Sequence, residues 1–316
     1  MSEKKELLYD TVILGGGPAG LSAAIYSARG NIKTAVVDIT MFGGQPSNYL
    51  EIENYPGYPI SGGYDLMEKF EEHADKFGVD KFPMQEIQKI DLLSEPKVIE
   101  SLDTIFKAKT VIIATGAKAT KLGIAGEKEF LGRGVSYCAV CDGAFYREKT
   151  VAVVGGGNAA VEEAAYLTKF ADKVYIIHRR DKFRADKIVQ ERTFNNPKIE
   201  LILDSIPLEI KGENNVETLV IKNVKTNEIS EIKTDGVFPY IGFTPNVDLI
   251  NGQLKQNERG FIETDVNLQT SIEGVYAAGD VRNTPLRQVI TAAADGALAA
   301  CSCVKYLETL ESKISV

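Results

Sequence analysis

One arrangement of segments occurs twice in this chain of 316 residues. In the first copy, an apolar run at 11–14 leads into the glycine-rich turn 15–20 and an alanine-rich stretch, and a second apolar run ends at Asp38. Short apolar runs predict buried parallel strands, and the stretch between them predicts a helix. Strand, Gly-x-Gly-x-x-Gly turn, helix and a strand ending in an acid together form the dinucleotide-binding fingerprint.

The second copy has the same internal spacing. It places strands at 151–154 and 174–177, a glycine turn at 155–160 and a helix at 161–170, so that His178 takes the place of Asp38. One glycine turn alone is a weak signal. Two complete copies are a strong one, because turn, helix and strand must all agree.

Alternating apolar segments follow each copy and predict a small antiparallel meander. They lie within 82–109 after the first copy, and after the second we expect strands at 199–203, 216–224 and 229–232, each meander leading to a short strand, 110–115 or 236–241. The stretch 260–307 has no glycine turn of its own, so it should complete the first domain. The predicted fold class is α/β, with two Rossmann-like three-layer domains, 118–247 being inserted between 1–117 and 248–316.

Composition excludes several classes of protein. A formal net charge of −8 argues against a general binder of nucleic acid or of membrane surfaces. No apolar run approaches the roughly 20 residues that span a bilayer, and no signal-peptide pattern is present, so we expect a cytoplasmic protein. Four cysteines are too few for a disulfide scaffold.

The two turns supply most of the candidate nucleotide-binding residues. A helix N-terminus offers unpaired N–H groups and a favourable dipole to a pyrophosphate. The candidates are Gly15, Gly17, Pro18, Ala19 and Gly20 in the first turn, and Gly155, Gly157, Asn158, Ala159 and Ala160 in the second.

The residues after each second strand distinguish two nucleotides. Asp38 suits the ribose hydroxyls of an unphosphorylated ribose, whereas His178, Arg179 and Arg180, with Arg184 further on, suit the 2′-phosphate of NADPH. The arginines could instead be a solvated charge run, but their position at the end of that strand favours the phosphate. One copy holding FAD and the other NADPH gives a two-step electron path.

Cys138 and Cys141 form a Cys-x-x-Cys pair just before the second copy. Such a pair can close into a disulfide and exchange with another dithiol, and the adjacent Asp142 could serve as acid or base. Half of a zinc site and an inert buried pair are the alternatives; a structural zinc site needs four ligands, and no second ligand pair of suitable spacing exists. Cys301 and Cys303 do not share a helix face, so we expect them to be packing residues.

The combined motifs resemble those of the low-molecular-weight thioredoxin reductases of bacteria over almost the whole chain. The matching segments are GGGPAG, GGQ at 43–45, ENYPG at 53–57, ATG at 114–116, CAVCDG at 138–143, GGGNAA, HRRDKFRA at 178–185 and AAGDVRNTPLRQ at 277–288. Pro239 and Tyr240, and residues 46–49 after GGQ, depart from the family's usual sequence.

The resemblance implies a pathway and further site residues. Hydride would pass from NADPH to FAD, then to the Cys138–Cys141 disulfide, then to thioredoxin or a similar dithiol protein; family members are homodimers. FAD would also contact Gly44, Gln45, Asn54, Thr115, Gly116, Gly279, Asp280, Arg287, Gln288 and Val289. The alternatives are a flavoprotein of the same fold with a ferredoxin-type donor, a glutaredoxin-like acceptor or dithiol oxidase activity, and a non-catalytic redox sensor.

Overall fold

The computed structural model describes residues 4–49, 52, 54–58, 62–250 and 252–314, without the side chains of residues 141, 313 and 314. The chain divides into two compact units, Met1–Lys118 with Thr244–Val316, and Ala119–Phe243. Residues 244–247, which the sequence assigned to the inserted domain, lie in the first unit. Asn246 is held to the end of a first-unit strand, because its N–H donates to the carbonyl of Gly116 (3.0 Å) and its carbonyl accepts from Thr115 Oγ1 (2.7 Å).

Both units contain strands and helices. The strands are β1 (Lys5–Leu14), β2 (Thr34–Val37), β3 (Asp80–Phe82), β4 (Ile87–Asp91), β5 (Lys97–Ser101), β6 (Thr104–Ile113), β7 (Ala117–Ala119), β8 (Thr150–Gly155), β9 (Lys173–Ile177), β10 (Ile199–Ile202), β11 (Ser205–Lys211), β12 (Thr218–Asn223), β13 (Ile229–Lys233), β14 (Gly236–Tyr240), β15 (Phe243–Pro245) and β16 (Val275–Ala277). The helices are α1 (Pro18–Arg29), α2 (Gly63–Asp75), α3 (Ala139–Asp142), α4 (Asn158–Leu167), α5 (Lys187–Phe194) and α6 (Val289–Ile314).

The first unit is built on a sheet of order β3-β2-β1-β6-β5-β4, with β16 also paired to β6. The sequence predicts a meander and then a separate strand at 110–115, but β6 is one continuous strand. Its first half pairs antiparallel with β5, and Val111–Ile113 pair parallel with β16. Burial alternates along the first half and is continuous along the last four residues, as a strand passing from a one-sided to a two-sided sheet requires.

Helices α1 and α6 pack together on one face of this sheet. Small residues allow their close approach: a side chain at Gly296 would overlap the carbonyl oxygen of Ala19, and Ala299, Ala300 and Cys303 are fully buried. Among the described residues, Val289–Ser312 is long and apolar enough to cross a membrane by length and composition alone. Its alanine-rich face is part of the core of this unit, so this finding is weak evidence for a membrane span.

The second unit contains a parallel sheet of order β10-β9-β8-β14 and an antiparallel sheet of order β11-β12-β13. The assignment of 199–203 to the meander is therefore wrong. The sequence pattern does not reveal α5, which connects β9 to β10; a helical crossover brings the following strand back parallel to its partner.

The true first strand of that meander, β11, is also absent from the sequence prediction. It contains Pro207, and a proline weakens the case for a strand because it cannot donate to the ladder. The pairing of β11 with β12 shifts register between Pro207 and Glu209, so the proline lies at an irregularity where its missing N–H is tolerated.

Candidate active site

The first glycine turn leaves the start of α1 open. Gly17 precedes the helix without a side-chain cap, and Pro18, at the first position, has no N–H to satisfy. Gly15 has φ +109°, and a side chain there would overlap the carbonyl oxygen of Ala114. The backbone N–H groups of the first helical turn are therefore available to a phosphate.

Asp38 lies at the end of β2 and is tied to this turn. Its Oδ2 accepts from the N–H of Gly16 (2.6 Å), and its Oδ1 accepts from the N–H (2.8 Å) and the hydroxyl (2.9 Å) of Thr40. These donors fix a half-buried carboxylate beside the glycine turn, where the fingerprint places the ribose.

Two further predicted segments meet the same turn. The N–H of Gly43 donates to the carbonyl of Gly16 (2.8 Å), which brings Gly44 and Gln45 against the turn. Gly279 lies so close to Ala19 that an added Cβ would stand 2.9 Å from the Ala19 methyl carbon. Asp280, which follows, is therefore near the start of α1; burial raises its pKa to about 6, against the opposing effect of Arg287.

The other predicted residues of the first unit form two smaller groups. Asn54 Nδ2 donates to Gln288 Oε1 (3.0 Å), just before Val289 begins α6. The guanidinium of Arg287 stacks on the ring of Phe261 at 4.1 Å, and its Nε is buried with no hydrogen-bond partner.

Asp295 and Arg282 are polar residues of this region that sequence reasoning missed. Asp295 Oδ2 accepts from the N–H of Gly279 (3.1 Å) and lies 3.2 Å from Arg282 Nε, with both side chains largely buried. An aspartate inside the alanine-rich α6 was the available signal, because such a residue is seldom buried without a partner.

The second turn is covered by the loop that follows β9. The N–H of Arg184 donates to the carbonyl of Gly156 (2.7 Å). Asn158, at the start of α4, exchanges two hydrogen bonds of 2.7 Å with Asp186: its amide donates to the carboxylate, and its side-chain oxygen accepts from the Asp186 N–H. The loop is thereby fixed beside the N-terminus of α4, where Ala159 and Ala160 lie in the first turn.

His178 packs where Asp38 lies in the first unit, but without a charge. Its ring stacks on Phe183 at a centroid distance of 4.9 Å, and a side chain at Gly156 would overlap it. Burial lowers the pKa of His178, and the charges of Arg184, Arg180 and Arg179 lower it further. The imidazole is therefore neutral, and the three exposed arginines near it form a positive cluster beside the turn.

Cys138 is disulfide-bonded. The side chain of Cys141 lies outside the described residues, and its backbone is part of α3, which follows Cys138 directly. The Cys138 N–H donates to Ser136 Oγ (3.1 Å), and the Ala139 N–H donates to the Tyr240 hydroxyl (2.9 Å). Tyr240, noted in the sequence only as a departure from the family, therefore contacts the cysteine segment, residues 138–142; the separation of 101 residues hid this contact.

Asp142 is the last residue of α3, and its N–H donates to the carbonyl of Cys138 (3.2 Å). Burial, with a smaller effect of the Asp142 charge, raises the pKa of Tyr146 to about 12. Cys301 and Cys303 are free; Cys301 is exposed, and Cys303 is fully buried, which raises the pKa of its thiol. Both lie in α6, where Cys303 packs in the core as expected; the expectation is wrong for Cys301, whose side chain is exposed because it lies on the solvent face of the helix.

Comparisons with known proteins agree with this geometry. A family model described as pyridine nucleotide-disulphide oxidoreductase matches residues 9–296. The thioredoxin reductase of Bacillus subtilis (strain 168) is 46% identical over 315 residues, covering 99% of each chain. That of Peptoclostridium acidaminophilum is 47% identical over 310 residues, covering 96% of this chain and 98% of the relative. The crystal structure of Lactococcus lactis thioredoxin reductase has a TM-score of 0.92 at 46% identity, covering 95% of this chain and 99% of that one.

The chain therefore belongs to the pyridine nucleotide-disulphide oxidoreductases. Within them it is a member of the low-molecular-weight thioredoxin reductases, which confirms the resemblance and the predicted fold class.

Proposed function

We propose that this chain is an NADPH-dependent thioredoxin-disulfide reductase that uses FAD and the Cys138–Cys141 pair. The main support is that Cys138 is disulfide-bonded and lies in the same unit as a glycine turn flanked by exposed arginines. Near full-length similarity to thioredoxin reductases supports the same reaction. On this proposal, the first unit, expected from the sequence at 1–117 with 248–316, is the FAD-binding domain. The second unit, expected at 118–247, is the NADPH-binding domain.

The residues of the first unit suit FAD. When bound, FAD takes up a hydride equivalent and delivers two electrons to a disulfide. The open start of α1 offers N–H groups to the pyrophosphate, and the Asp38 carboxylate, already oriented by Gly16 and Thr40, would receive ribose hydroxyls. The unpaired Arg287 Nε indicates that this region has hydrogen-bonding capacity left for a ligand.

The residues of the second unit suit NADPH rather than NADH. Because Arg179, Arg180 and Arg184 are exposed around a neutral His178, their charges are available to a 2′-phosphate. Guanidinium groups bind phosphate oxygens with paired, charge-assisted hydrogen bonds. The pairing of Asn158 with Asp186 would keep the loop in place before the nucleotide arrives.

The cysteine pair would carry the electrons to the partner. Two electrons and two protons convert its disulfide to two thiols. One thiolate then attacks a sulfur of the partner's disulfide, and the second cysteine displaces the partner as a dithiol while the original disulfide reforms. Asp142, next to Cys141 in sequence, is our candidate to hold the proton exchanged during these steps.

We propose thioredoxin, or a thioredoxin-like dithiol protein, as the acceptor, and neither nucleic acid nor membrane as a partner. The acidic net charge and the family membership support a cytoplasmic homodimer.

The direct test is NADPH oxidation coupled to reduction of a bacterial thioredoxin. We expect wild-type protein to sustain turnover, and Cys138→Ser to bind FAD and accept hydride but fail to reduce thioredoxin. Cys301→Ser is the matched control, because it removes an exposed free thiol outside the cysteine segment, residues 138–142. Full thioredoxin reduction by Cys138→Ser would contradict the proposed path.

A ferredoxin-type donor is the alternative with a specific observation behind it. A ferredoxin-flavin thioredoxin reductase from Clostridium acetobutylicum is 34% identical to the chain and covers 96% of it, with a TM-score of 0.53. The arginine cluster favours NADPH instead. Thioredoxin reduction with reduced ferredoxin but not with NADPH would reverse this preference.

A further inference from the structure

Glu127 is a buried carboxylate in the second unit, with a relative exposure of 5%. Its Oε1 accepts from the N–H of Leu122 and from the hydroxyl of Tyr137, both at 2.6 Å, and its Oε2 accepts from the N–H of Gly123 (2.7 Å). These three donors are neutral groups. Short hydrogen bonds to a carboxylate are what make its burial tolerable.

The three donors come from two different parts of the chain. Leu122 and Gly123 belong to the segment with which the chain enters the second unit, which begins at Ala119. Tyr137 directly precedes the disulfide-bonded Cys138. One carboxylate therefore joins the entering segment to the main chain of the redox cysteine.

Tyr137 is suited to be a permanent donor. Burial, the hydrogen bond to Glu127 and the charge of Glu127 all raise the pKa of Tyr137 far above its ordinary value, so its hydroxyl keeps its proton. The Ser136 hydroxyl oxygen accepts the N–H of Cys138, and on the other side of Cys138 the Tyr240 hydroxyl oxygen accepts the N–H of Ala139. The short segment around Cys138 is thus held from both ends.

We propose that Glu127 and Tyr137 are positioning residues that hold Cys138 in the geometry of the closed disulfide. This inference rests on the proposed function, since it assumes that the Cys138 disulfide is the redox-active one. A fixed main chain keeps the two thiols at high effective concentration after reduction, which favours ring closure. Loss of the Tyr137 hydroxyl should therefore shift the equilibrium toward the dithiol.

The test is a redox titration of the Cys138 disulfide in the FAD-containing protein. All variants carry Cys301→Ser, so that no exposed free thiol interferes with the alkylation that counts reduced cysteines. The proteins are equilibrated with mixtures of reduced and oxidised dithiothreitol, without NADPH or thioredoxin. We expect Tyr137→Phe to raise the equilibrium constant for reduction between threefold and tenfold; tenfold corresponds to about 30 mV for a two-electron couple.

Tyr9→Phe is the matched control. The Tyr9 hydroxyl also donates to a carboxylate, Asp80 Oδ2 at 2.8 Å, but in the first unit. Tyr9→Phe should lower the free energy of unfolding about as much as Tyr137→Phe does, and it should leave the disulfide equilibrium at the wild-type value. Glu127→Gln, which keeps the size but loses the charge, should shift the equilibrium in the same direction as Tyr137→Phe.

Two outcomes overturn the inference. Tyr137→Phe with the wild-type equilibrium would show that the hydroxyl does not position Cys138, and equal shifts in Tyr137→Phe and Tyr9→Phe would show a general loss of stability. In both cases the proposed function survives. A wild-type protein in which Cys138 forms no reducible disulfide would instead overturn the proposed function itself, and this inference with it.

Discussion

The glycine turns of the two units both lead from a buried parallel strand into a helix without a side-chain cap. The two units differ in the residue that follows the second strand, β2 in the first unit and β9 in the second. In the first unit the Asp38 carboxylate accepts the Gly16 N–H, whereas in the second the neutral His178 ring packs against Gly156. One backbone unit can therefore present either an anion for ribose or a neutral ring with arginines around it.

The third glycine position differs as well. A side chain at Gly20 would overlap the carbonyl oxygen of Gly15, but the second turn carries Ala160 there, with its methyl against Gly155. The first turn is thus the tighter of the two. A glycine fingerprint therefore defines how the helix approaches the nucleotide, while the neighbouring residues choose which nucleotide binds.

The largest expected effect comes from removing the arginine cluster of the second turn. Arg179→Ala with Arg180→Ala should lower kcat/KM for NADPH by roughly a hundredfold or more, about 3 kcal/mol, because two charge-assisted contacts to the 2′-phosphate disappear. The value for NADH should stay unchanged, as measured by steady-state kinetics with both nucleotides.

The exposed cation Lys187, at the start of α5, provides the control for this change. Lys187→Ala should preserve the preference for NADPH. If the double arginine variant still prefers NADPH, the arginines of the second turn do not select the nucleotide, and the proposed difference between the two turns is contradicted.

The next largest effect is expected on the stability of the protein, at the buried carboxyl group of Glu163 in the second unit. Burial raises the pKa of Glu163 to about 7, and its Oε2 has no hydrogen-bond partner. A carboxyl whose folded pKa exceeds its unfolded value stabilises the protein below the unfolded pKa, and this stability is lost as pH rises through 7. Glu163→Gln should remove that loss and raise the free energy of unfolding at about pH 8 by about 3 kcal/mol at most.

Urea unfolding at about pH 5 and about pH 8 checks this expectation. Glu228→Gln, at an exposed position of the same unit, is the matched control and should keep the wild-type pH dependence, whereas Glu162 is unsuitable because its charge adds to the raised pKa of Glu163. Identical pH profiles for Glu163→Gln and wild type would show that Glu163 bears no such cost.

A smaller effect is expected at Asp38 in the first turn. Asp38→Asn removes a charged acceptor from the ribose and from the Gly16 N–H, which should weaken FAD binding by about 2 kcal/mol, roughly thirtyfold. Equilibrium dialysis of the apoprotein with FAD measures the change. Unaltered FAD affinity, or an altered ratio of NADPH to NADH use, would argue against FAD in this turn.

The smallest effect is expected at Ala160 of the second turn. Ala160→Gly should cost about 1.5 kcal/mol in the free energy of unfolding, through lower helix propensity and the loss of a fully buried methyl group, with little change in KM for NADPH. The reciprocal Gly20→Ala should be worse tolerated, because its methyl meets the Gly15 carbonyl oxygen. Equal costs for the two changes would remove the difference in tightness between the turns.

The repeated unit was predictable because its signals are local. The runs before each turn, the glycines and the strand ends at Asp38 and His178 lie within one short stretch each, and the structure has strand, turn, helix and strand in that order. The wrong assignment of 199–203 came from α5, whose weakly amphipathic sequence gave no clear helix period. Without that helix, β10 could not be recognised as a parallel strand.

The supporting contacts of the site could not be predicted for a different reason. Asn158 meets Asp186 across 28 residues, and Tyr240 meets Ala139 across 101. Such pairs depend on how the sheets bring loops together, and no local pattern marks them. Residue type together with position in the repeated unit indicated the arginine cluster and the cysteine pair, whereas the contacts of Glu127, Tyr137 and Asp295 required the structure.

The division of labour between the two turns, FAD in the first and NADPH in the second, is open to one direct measurement. The purified protein is titrated anaerobically with NADPH, and separately with NADH, while the flavin absorbance is followed. We expect rapid bleaching by NADPH and much weaker bleaching by NADH. Bleaching by neither nucleotide, or by both equally, would contradict the assignment of the second turn to NADPH.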